Sequence, residues 1–376
     1  LSKYQDAILK HIEEHPEFIL PESRRNEIIA FVKQGLKDIS ITRQGVEWGI
    51  EAPGEPEQRI WVWFDALINY LVKKDYWPAD LHLIAKDILR FHCVMWPAML
   101  MAAGYELPRR IFAHGFMTVD GQKISKSLGN VVDPLYLTDK YSSDVLRYFL
   151  VREISFGQDG DFSEQNFCKR LNDELADVFG NFVHRVLTFL KNNFGGKVPE
   201  GEVDCELLAE VRSTVDRIEK LIEELSLTQA VMEILGLAKR GNEYFQACRP
   251  WESIKKEPRQ AANCLLNSLN LVKVLCVLIT PFMPQTGRKL AQQLNITVES
   301  LEQAKEFDMA PGHLIGEPEP LFKKVKFEPS TASRIPLEEF EKLDIRIGRV
   351  LKASRIPGTS KLLKLEVDVG TEQRSI

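Results

Sequence analysis

A chain of 376 residues has room for two to three domains at about 150 residues each, with a sizeable buried core. Its 44% hydrophobic and 27% charged residues are an ordinary globular mixture, which excludes a disordered, collagenous or disulfide-scaffold chain. The net charge of −5 supplies no global positive field, so any contact with nucleic acid must come from a local patch.

Six cysteines, at 93, 168, 205, 248, 264 and 276, are scattered with no C-x-x-C spacing. That pattern argues for free thiols in a reducing, cytoplasmic setting and against a zinc ribbon. Nothing reads as a signal peptide. The most apolar run, Leu271 to Thr280, is interrupted by Lys273 and falls short of the roughly 20 residues that a membrane span needs, so no membrane partner is expected. The chain begins at Leu1 and stops at Ile376 soon after a strand-like run, and it reads as an internal fragment.

Four stretches follow in chain order. Residues 1–57 hold an amphipathic helix, a turn at Pro16 to Pro21 and a second helix from about Ser23 to Gly35, and close on the loop signal Glu51-Ala-Pro-Gly-Glu-Pro56. Residues 58–160 alternate strand and helix. The strands are Arg59-Ile-Trp-Val-Trp-Phe64, Leu81-His-Leu-Ile-Ala85 and Arg110-Ile-Phe-Ala-His-Gly115, and the helices run from Asp65 to Lys73 and from Asp87 to Ala103, the latter capped by Gly104. This order predicts a parallel sheet whose ligands lie at the carboxyl ends of its strands. Trp63, Asp65, Asp87 and His114 fall at or just past those ends.

Residues 161–310 read as helical. Apolar side chains at 167, 171, 175, 178, 182, 186 and 189 mark one long amphipathic helix, and Val211 to Leu237 and Ala261 to Ile279 repeat the signal. Such helices pack as a bundle. Residues 311–334 read as a Pro/Gly/Lys linker. Strand-like runs at Asp344 to Val350 and Leu362 to Val369, with a turn at Pro357-Gly358, suggest the start of a small β-barrel over 335–376.

The segment Asp120-Gly-Gln-Lys-Ile-Ser-Lys-Ser-Leu-Gly-Asn130 concentrates chemistry. Lys123 and Lys126 offer point charges, Ser125 and Ser127 offer donors, and Gly121 and Gly129 let the loop bend towards a ligand. A polyphosphate suits this set; a solvated basic hairpin is the alternative. Three other patterns carry little. His11-Ile-Glu-Glu-His15 has H-x-x-E-H spacing, but the helix stops at Pro16 and no third ligand follows. Asp159-Gly-Asp161 with Glu164 lacks calcium-loop spacing. Asn295-Ile-Thr297 is a glycosylation sequon that matters only in a secreted chain.

Lys123-Ile-Ser-Lys-Ser127 resembles the KMSKS loop of class I aminoacyl-tRNA synthetases, with Ile124 in place of methionine. Trp61-Val-Trp-Phe-Asp-Ala-Leu-Ile-Asn-Tyr70, His82-Leu-Ile-Ala-Lys-Asp-Ile-Leu-Arg-Phe-His92, Phe112-Ala-His-Gly115 and Ser127-Leu-Gly-Asn-Val-Val-Asp-Pro134 resemble the methionyl-tRNA synthetases in particular. The opening Leu1-Ser-Lys-Tyr-Gln-Asp6 and Pro21-Glu-Ser-Arg-Arg-Asn-Glu27 resemble the segment that follows that family's inserted connective domain.

The resemblance implies the second half of a Rossmann-like parallel sheet, then an α-helical anticodon-binding bundle and the first strands of an OB-fold. It implies formation of methionyl-adenylate from methionine and ATP with Mg2+, and transfer of the methionyl group to the 3′ end of tRNA(Met). Lys126, with Lys123 assisting, would stabilise departing pyrophosphate. Asp87, His114, Gly115, Ser125, Lys126 and Ser127 would line the ATP site; a helix N-cap is the structural alternative for Asp87.

Trp63, Ala66, Tyr70, Ile88 and His92 would form the methionine pocket, with Tyr70 and His92 as donors to sulfur; aromatic core packing is the alternative. Two departures from the family pattern stand out: Ala85 where Gly usually precedes Lys-Asp, and Leu67 where some relatives have Pro. Asn181, Arg185 and Trp251 would read the CAU anticodon by stacking and edge hydrogen bonds. Otherwise they are a solvated helix flank and a structural Trp at a turn.

A complete OB domain would bind tRNA and could pair two copies as a homodimer; about two of its five strands are expected here. No His-x-Gly-His occurs in the 376 residues. The half of the nucleotide fold that carries that motif, and the connective region where relatives hold zinc, are expected outside this chain. The chain alone is therefore expected to be inactive in adenylation and to hold no zinc ligands. Rivals are a leucyl, isoleucyl, valyl or cysteinyl synthetase and a non-catalytic tRNA-binding protein.

Overall fold

The computed structural model describes residues 1–124, 131–327, 342, 347–355 and 363–376. They fall into two compact units, residues 1–327 and 328–376.

The first unit opens with α1 (Gln5–Glu14) and α2 (Glu22–Lys33), which bury Ile8, Ile12, Ile28 and Val32. Between them lies β1 (Ile19–Leu20). A small antiparallel sheet of order β2-β4-β3 follows, built from β2 (Thr42–Gln44), β3 (Glu51–Ala52) and β4 (Glu55–Ile60). The expected strand Arg59 to Phe64 is thus corrected. Only its first two residues belong to β4, and α3 (Val62–Ile68) begins immediately after Trp61. The Trp61 carbonyl accepts the Phe64 N–H at 2.9 Å and so starts the helix. A short aromatic run suits a strand and a half-buried helix alike, and periodicity does not separate them.

The parallel sheet has the order β1-β6-β5, with β5 (His82–Ala85) and β6 (Ile111–His114). Its third strand is therefore β1. Trp63 and Asp65 lie on α3 rather than at a parallel strand end. The segment joining β5 to β6 is helical in three styles: a 3-10 turn (Lys86–Ile88), a π-helical turn (Phe91–Met95) and α4 (Trp96–Ala103), closed by Gly104 in the left-handed conformation. Ile19, Ile84, Ile111 and Ala113 from the sheet pack with Ile8, Ile28, Leu89 and Cys93.

Next come β7 (Met117–Val119) and β8 (Gln122–Lys123), joined by Asp120-Gly121 with φ 49° and 75°. Two positive φ values in a two-residue Asp-Gly connection are the hairpin turn whose twist suits paired strands. After α5 (Pro134–Tyr141) and α6 (Ser143–Glu153), β9 (Gly160–Phe162) pairs with β7 in parallel.

The expected long helix after Ser163 is one continuous rod: α7 (Glu164–Arg170), a π-helical stretch (Leu171–Gly180) and α8 (Asn181–Phe194). The wider π turns shift the buried stripe, which passes through Phe179 and Leu190 while Val178 and Phe189 pack at its margin. Val211 to Leu237 is not one helix. It divides into α9 (Cys205–Glu223) and α10 (Leu227–Cys248), with Leu225 between them at φ 59°. Then come α11 (Pro250–Lys256), α12 (Pro258–Ile279) and α13 (Pro284–Leu294). By length and composition α12 is apolar enough to cross a membrane, but 94% of that stretch is buried inside the bundle. Its Lys273 is buried and paired with Asp308. Residues 311–327, expected as linker, lie against the bundle: Asn172 exchanges two hydrogen bonds with the Val325 backbone, and Ile315 is buried.

In the second unit, β10 (Arg349–Arg355), β11 (Leu363–Asp368) and β12 (Gln373–Ser375) form an antiparallel sheet in that order. Of the expected strand over 344–350, residues 344–346 lie outside the described residues; among those described the pairing starts at Arg349, and β12 was not foreseen. Ile335 to Phe340, Asp344 and the Pro357-Gly358 turn lie outside the described residues.

Candidate functional site

Aromatic side chains cluster where α3 and its following turn face the helical segment after β5. The Trp63 ring stacks on Phe91 with centroids 4.0 Å apart and planes 10° apart. About two helical turns further, Tyr70 sits in a 3-10 turn (Asn69–Leu71), and its hydroxyl lies 2.9 Å from His92 Nε2. His92 Nδ1 lies 3.1 Å from the Ile88 carbonyl oxygen. A carbonyl can only accept, so Nδ1 carries the hydrogen. Burial lowers the His92 pKa and keeps the ring neutral. Nε2 must then accept, and the Tyr70 hydroxyl donates to it.

Tyr70, Ile88 and His92 are therefore joined in one hydrogen-bonded chain. Both donors expected to face a sulfur atom are already engaged, so a thioether here would meet polarisable ring surface and compete for a single hydroxyl proton. Ala66 is exposed on α3 between Trp63 and Tyr70. Leu67 points the other way, fully buried with Met95, Trp96 and Leu100, so its departure from the family pattern falls in the core. Phe91 escaped sequence reasoning; its only signal was an aromatic residue beside His92.

The ends of β5 and β6 carry a second cluster. His114 closes β6, with Nδ1 2.8 Å from its neighbour's carbonyl, the Gly115 oxygen. A Cβ on Gly115 would stand 2.2 Å from the Gln158 carbonyl oxygen, so only glycine lets that loop approach. Asp87 is exposed inside the first 3-10 turn after β5. Ala85 occupies the cap position, and the N-cap reading of Asp87 is corrected.

Lys86, which sequence reasoning passed over, places Nζ 2.6 Å from both Asp159 carboxylate oxygens and 4.6 Å from the centre of the Phe116 ring. Asp159 also accepts the Phe116 N–H at 2.8 Å; these hydrogen bonds hold its carboxyl below the usual range. Asp161 accepts from the Thr118 hydroxyl and from the Gly121 N–H at 2.8 Å, and so braces the β7–β8 turn. Glu164 accepts from Tyr141 and Lys140. The three carboxylates considered for calcium are thus engaged by protein donors. Among the described residues, no group of three or more His, Cys, Asp or Glu is placed to hold a metal.

Lys123 ends β8, with its backbone paired to Thr118. Its side chain and all of Ser125, Lys126, Ser127 and Gly129 lie outside what is described.

The third cluster is helical. Asn181 is exposed at the start of α8, and Arg185 stands one turn on. Its guanidinium lies 5.4 Å from the Phe245 ring centre and 5.9 Å from that of Trp251, and donates to Gln246 Oε1 at 3.1 Å. Trp251 is 38% exposed in the first turn of α11. Arg249 at φ 43° and Pro250 turn the chain so that the indole stands out over buried Phe245, 6.1 Å away. An exposed indole flanked by a guanidinium is a surface on which a planar base can stack.

Comparison with known proteins adds the following. Residues 1–187 match the family model described as class I tRNA synthetases of the methionyl type, and residues 195–334 match the anticodon-binding domain of methionyl tRNA ligase. The chain is 40% identical to the methionine–tRNA ligase of Thermotoga maritima, an alignment covering 100% of this chain and 64% of that protein. It is 38% identical to the corresponding ligase of Caldanaerobacter subterraneus, over 100% of this chain and 65% of that one. The chain thus spans a little under two thirds of the curated relatives it matches. Among solved structures, Mycobacterium tuberculosis methionyl-tRNA synthetase in complex with methionyl-adenylate is similar at a TM-score of 0.81 and 38% identity, covering 85% of this chain and 67% of that one.

Proposed function

The chain belongs to the class I methionyl-tRNA synthetases, and on that premise we propose that its parent protein is a methionine–tRNA ligase. It joins methionine to ATP as methionyl-adenylate, with Mg2+ accompanying the nucleotide, and passes the methionyl group to the 3′ end of tRNA(Met). The observation that carries this reading is the Tyr70–His92–Ile88 hydrogen-bonded chain beside the Trp63–Phe91 stack. It sets a polarisable aromatic cluster, with one shared hydroxyl, on the helical segments that flank β5.

In this reading Trp63, Ala66, Tyr70, Ile88 and His92 surround the methionine side chain. Asp87, His114 and Gly115 line the nucleotide, together with Ser125 and Ser127. The methionine carboxylate attacks the α-phosphate, the bond to the leaving pyrophosphate breaks, and negative charge builds on that group. Lys126, assisted by Lys123, stabilises it. Such a step is accelerated mainly by positioning and fixed charge. The β7–β8 turn, braced by Asp161, sets where the lysine loop starts.

Residues 1–57 rejoin the connective region to the catalytic domain at 58–160. Residues 161–310 read the CAU anticodon through Asn181, Arg185 and Trp251, residues 311–327 pack on that bundle, and part of an OB domain lies at 335–376. The complete OB domain binds tRNA and can pair two copies. The ligase works in the cytoplasm.

The test is ATP–pyrophosphate exchange with methionine, using the full-length protein. Lys126→Ala should lower the rate by about a hundred- to a thousandfold, the usual loss of about 3–4 kcal/mol for an electrostatic stabiliser; an undiminished rate overturns the assignment. A thermal-shift panel of amino acids should single out methionine over leucine, isoleucine, valine and cysteine.

A further inference from the structure

Behind Tyr70 stands a residue that the proposed pocket does not use. His82 opens β5, whose side chains alternate: Leu83 is exposed, while His82 and Ile84 are buried. Ile84 joins the aliphatic core. His82 turns instead into a nest of rings, with Tyr70 at 4.3 Å, Trp77 at 5.9 Å and His92 at 6.0 Å between centroids. His82 is 5% exposed, and its Nε2 has no hydrogen-bond partner. A buried polar atom without a partner costs stability. An aliphatic side chain, as at Ile84, would fill the place without that cost. Burial, and then the neighbouring His92, push the His82 pKa down to about 4, so the ring stays uncharged.

Tyr70 depends on its neighbours for orientation. It rides on a three-residue 3-10 turn and is 40% exposed. Its hydroxyl reaches His92 only while the ring holds its tilt. Three rings flank it: His82 at 4.3 Å, His92 at 5.7 Å and Trp96 at 5.9 Å. His82 is the nearest by more than an ångström, and its ring, tilted 52° to that of Tyr70, is the support against which Tyr70 rests. From this arrangement we propose that His82 is a positioning residue for the thioether pocket: its flat ring backs Tyr70 and fixes the hydroxyl on His92 Nε2. The proposal rests on the reading of Tyr70 and His92 as part of the methionine site. A five-membered aromatic ring lets Tyr70 lie close; a branched aliphatic chain offers no flat face, whereas a phenyl ring keeps one.

The experiment is methionine-dependent ATP–pyrophosphate exchange with full-length protein. His82→Leu should raise the KM for methionine about five- to tenfold while kcat and the KM for ATP stay within about twofold. Its melting temperature should be no lower than the parent's, because the unpartnered nitrogen is gone. His82→Phe should return the methionine KM to within about twofold of the parent. The proposal is overturned if His82→Leu leaves the methionine KM unchanged, if both KM values rise together, or if the Leu and Phe variants behave alike. Should the leucine variant not fold, His82→Gln removes the flat face while keeping polarity, and the same constants decide. Tyr70→Phe and His92→Ala are the controls. If neither raises the methionine KM, the pocket reading itself fails; if they do and His82→Leu does not, only the role of His82 fails.

Discussion

Gly115 shows how much one atom decides. Because a Cβ there would meet the Gln158 carbonyl at 2.2 Å and the Asp159 amide at 2.5 Å, the loop would have to retreat. Gly115→Ala should lower stability by about 1–3 kcal/mol, the usual cost of overpacking, read as a fall in the urea midpoint. The buried imidazoles make a second prediction. The folded chain keeps His82 uncharged down to about pH 4, whereas the unfolded chain protonates it near 6.5. Between those values the unfolded state binds the extra proton, so stability falls as pH falls. His92 and His11, also lowered mainly by burial, act in the same direction. His82 alone accounts for up to about 3 kcal/mol of this loss. Denaturation midpoints between pH 7 and pH 4.5 should drop, and His82→Phe should make the drop shallower. Tyr70 and His92 were legible in the sequence through the resemblance of 61–70 and 82–92 to the methionyl-tRNA synthetases, because helical spacing alone suits core packing equally well. His82 and the Lys86–Asp159 pair were not. An inward histidine on a strand looks like core, and a partner 73 residues away leaves no local trace.

At the scale of elements, α11 gives the clearest test. Trp251 stands exposed because Arg249 and Pro250 turn the chain at its base, and Trp251→Ala should weaken binding of a CAU stem-loop by about 1–3 kcal/mol, the value of a lost stacking platform; unaltered affinity removes the anticodon reading. Asp144 joins two helices: it lies in the first turn of α6, is buried, and accepts the Thr286 N–H of α13 at 2.6 Å. Asp144→Ala leaves that amide buried without its acceptor and should cost about 1–3 kcal/mol in thermal or urea unfolding. Elements with a sustained period were legible: β5, β6, α12 and the rod from α7 to α8. The α9–α10 break was not, because Leu221, Ile222, Leu225 and Leu227 keep the stretch apolar, and the single step of two from Leu225 to Leu227 is the one departure from helical spacing there. β1 is two residues long and the β2–β4–β3 sheet is short and charged, so neither leaves an alternation to read.

For the whole molecule, the arrangement follows chain order: strand ends and an aromatic cluster in the first 160 residues, then a helical body on which Arg185 lies beside Trp251. The sheet order carries one more consequence. Among the described strands β5 has a neighbour on one side only. Its His82 N–H donates to Arg110 on the β6 side, so the Leu83 N–H points the opposite way, beside a side chain that is 55% exposed. The unpaired amides and carbonyls of an edge strand are a template for another backbone. Sedimentation of the isolated chain should therefore reveal self-association that grows with concentration, and Leu83→Lys, by planting a charge on that edge, should return it to single molecules.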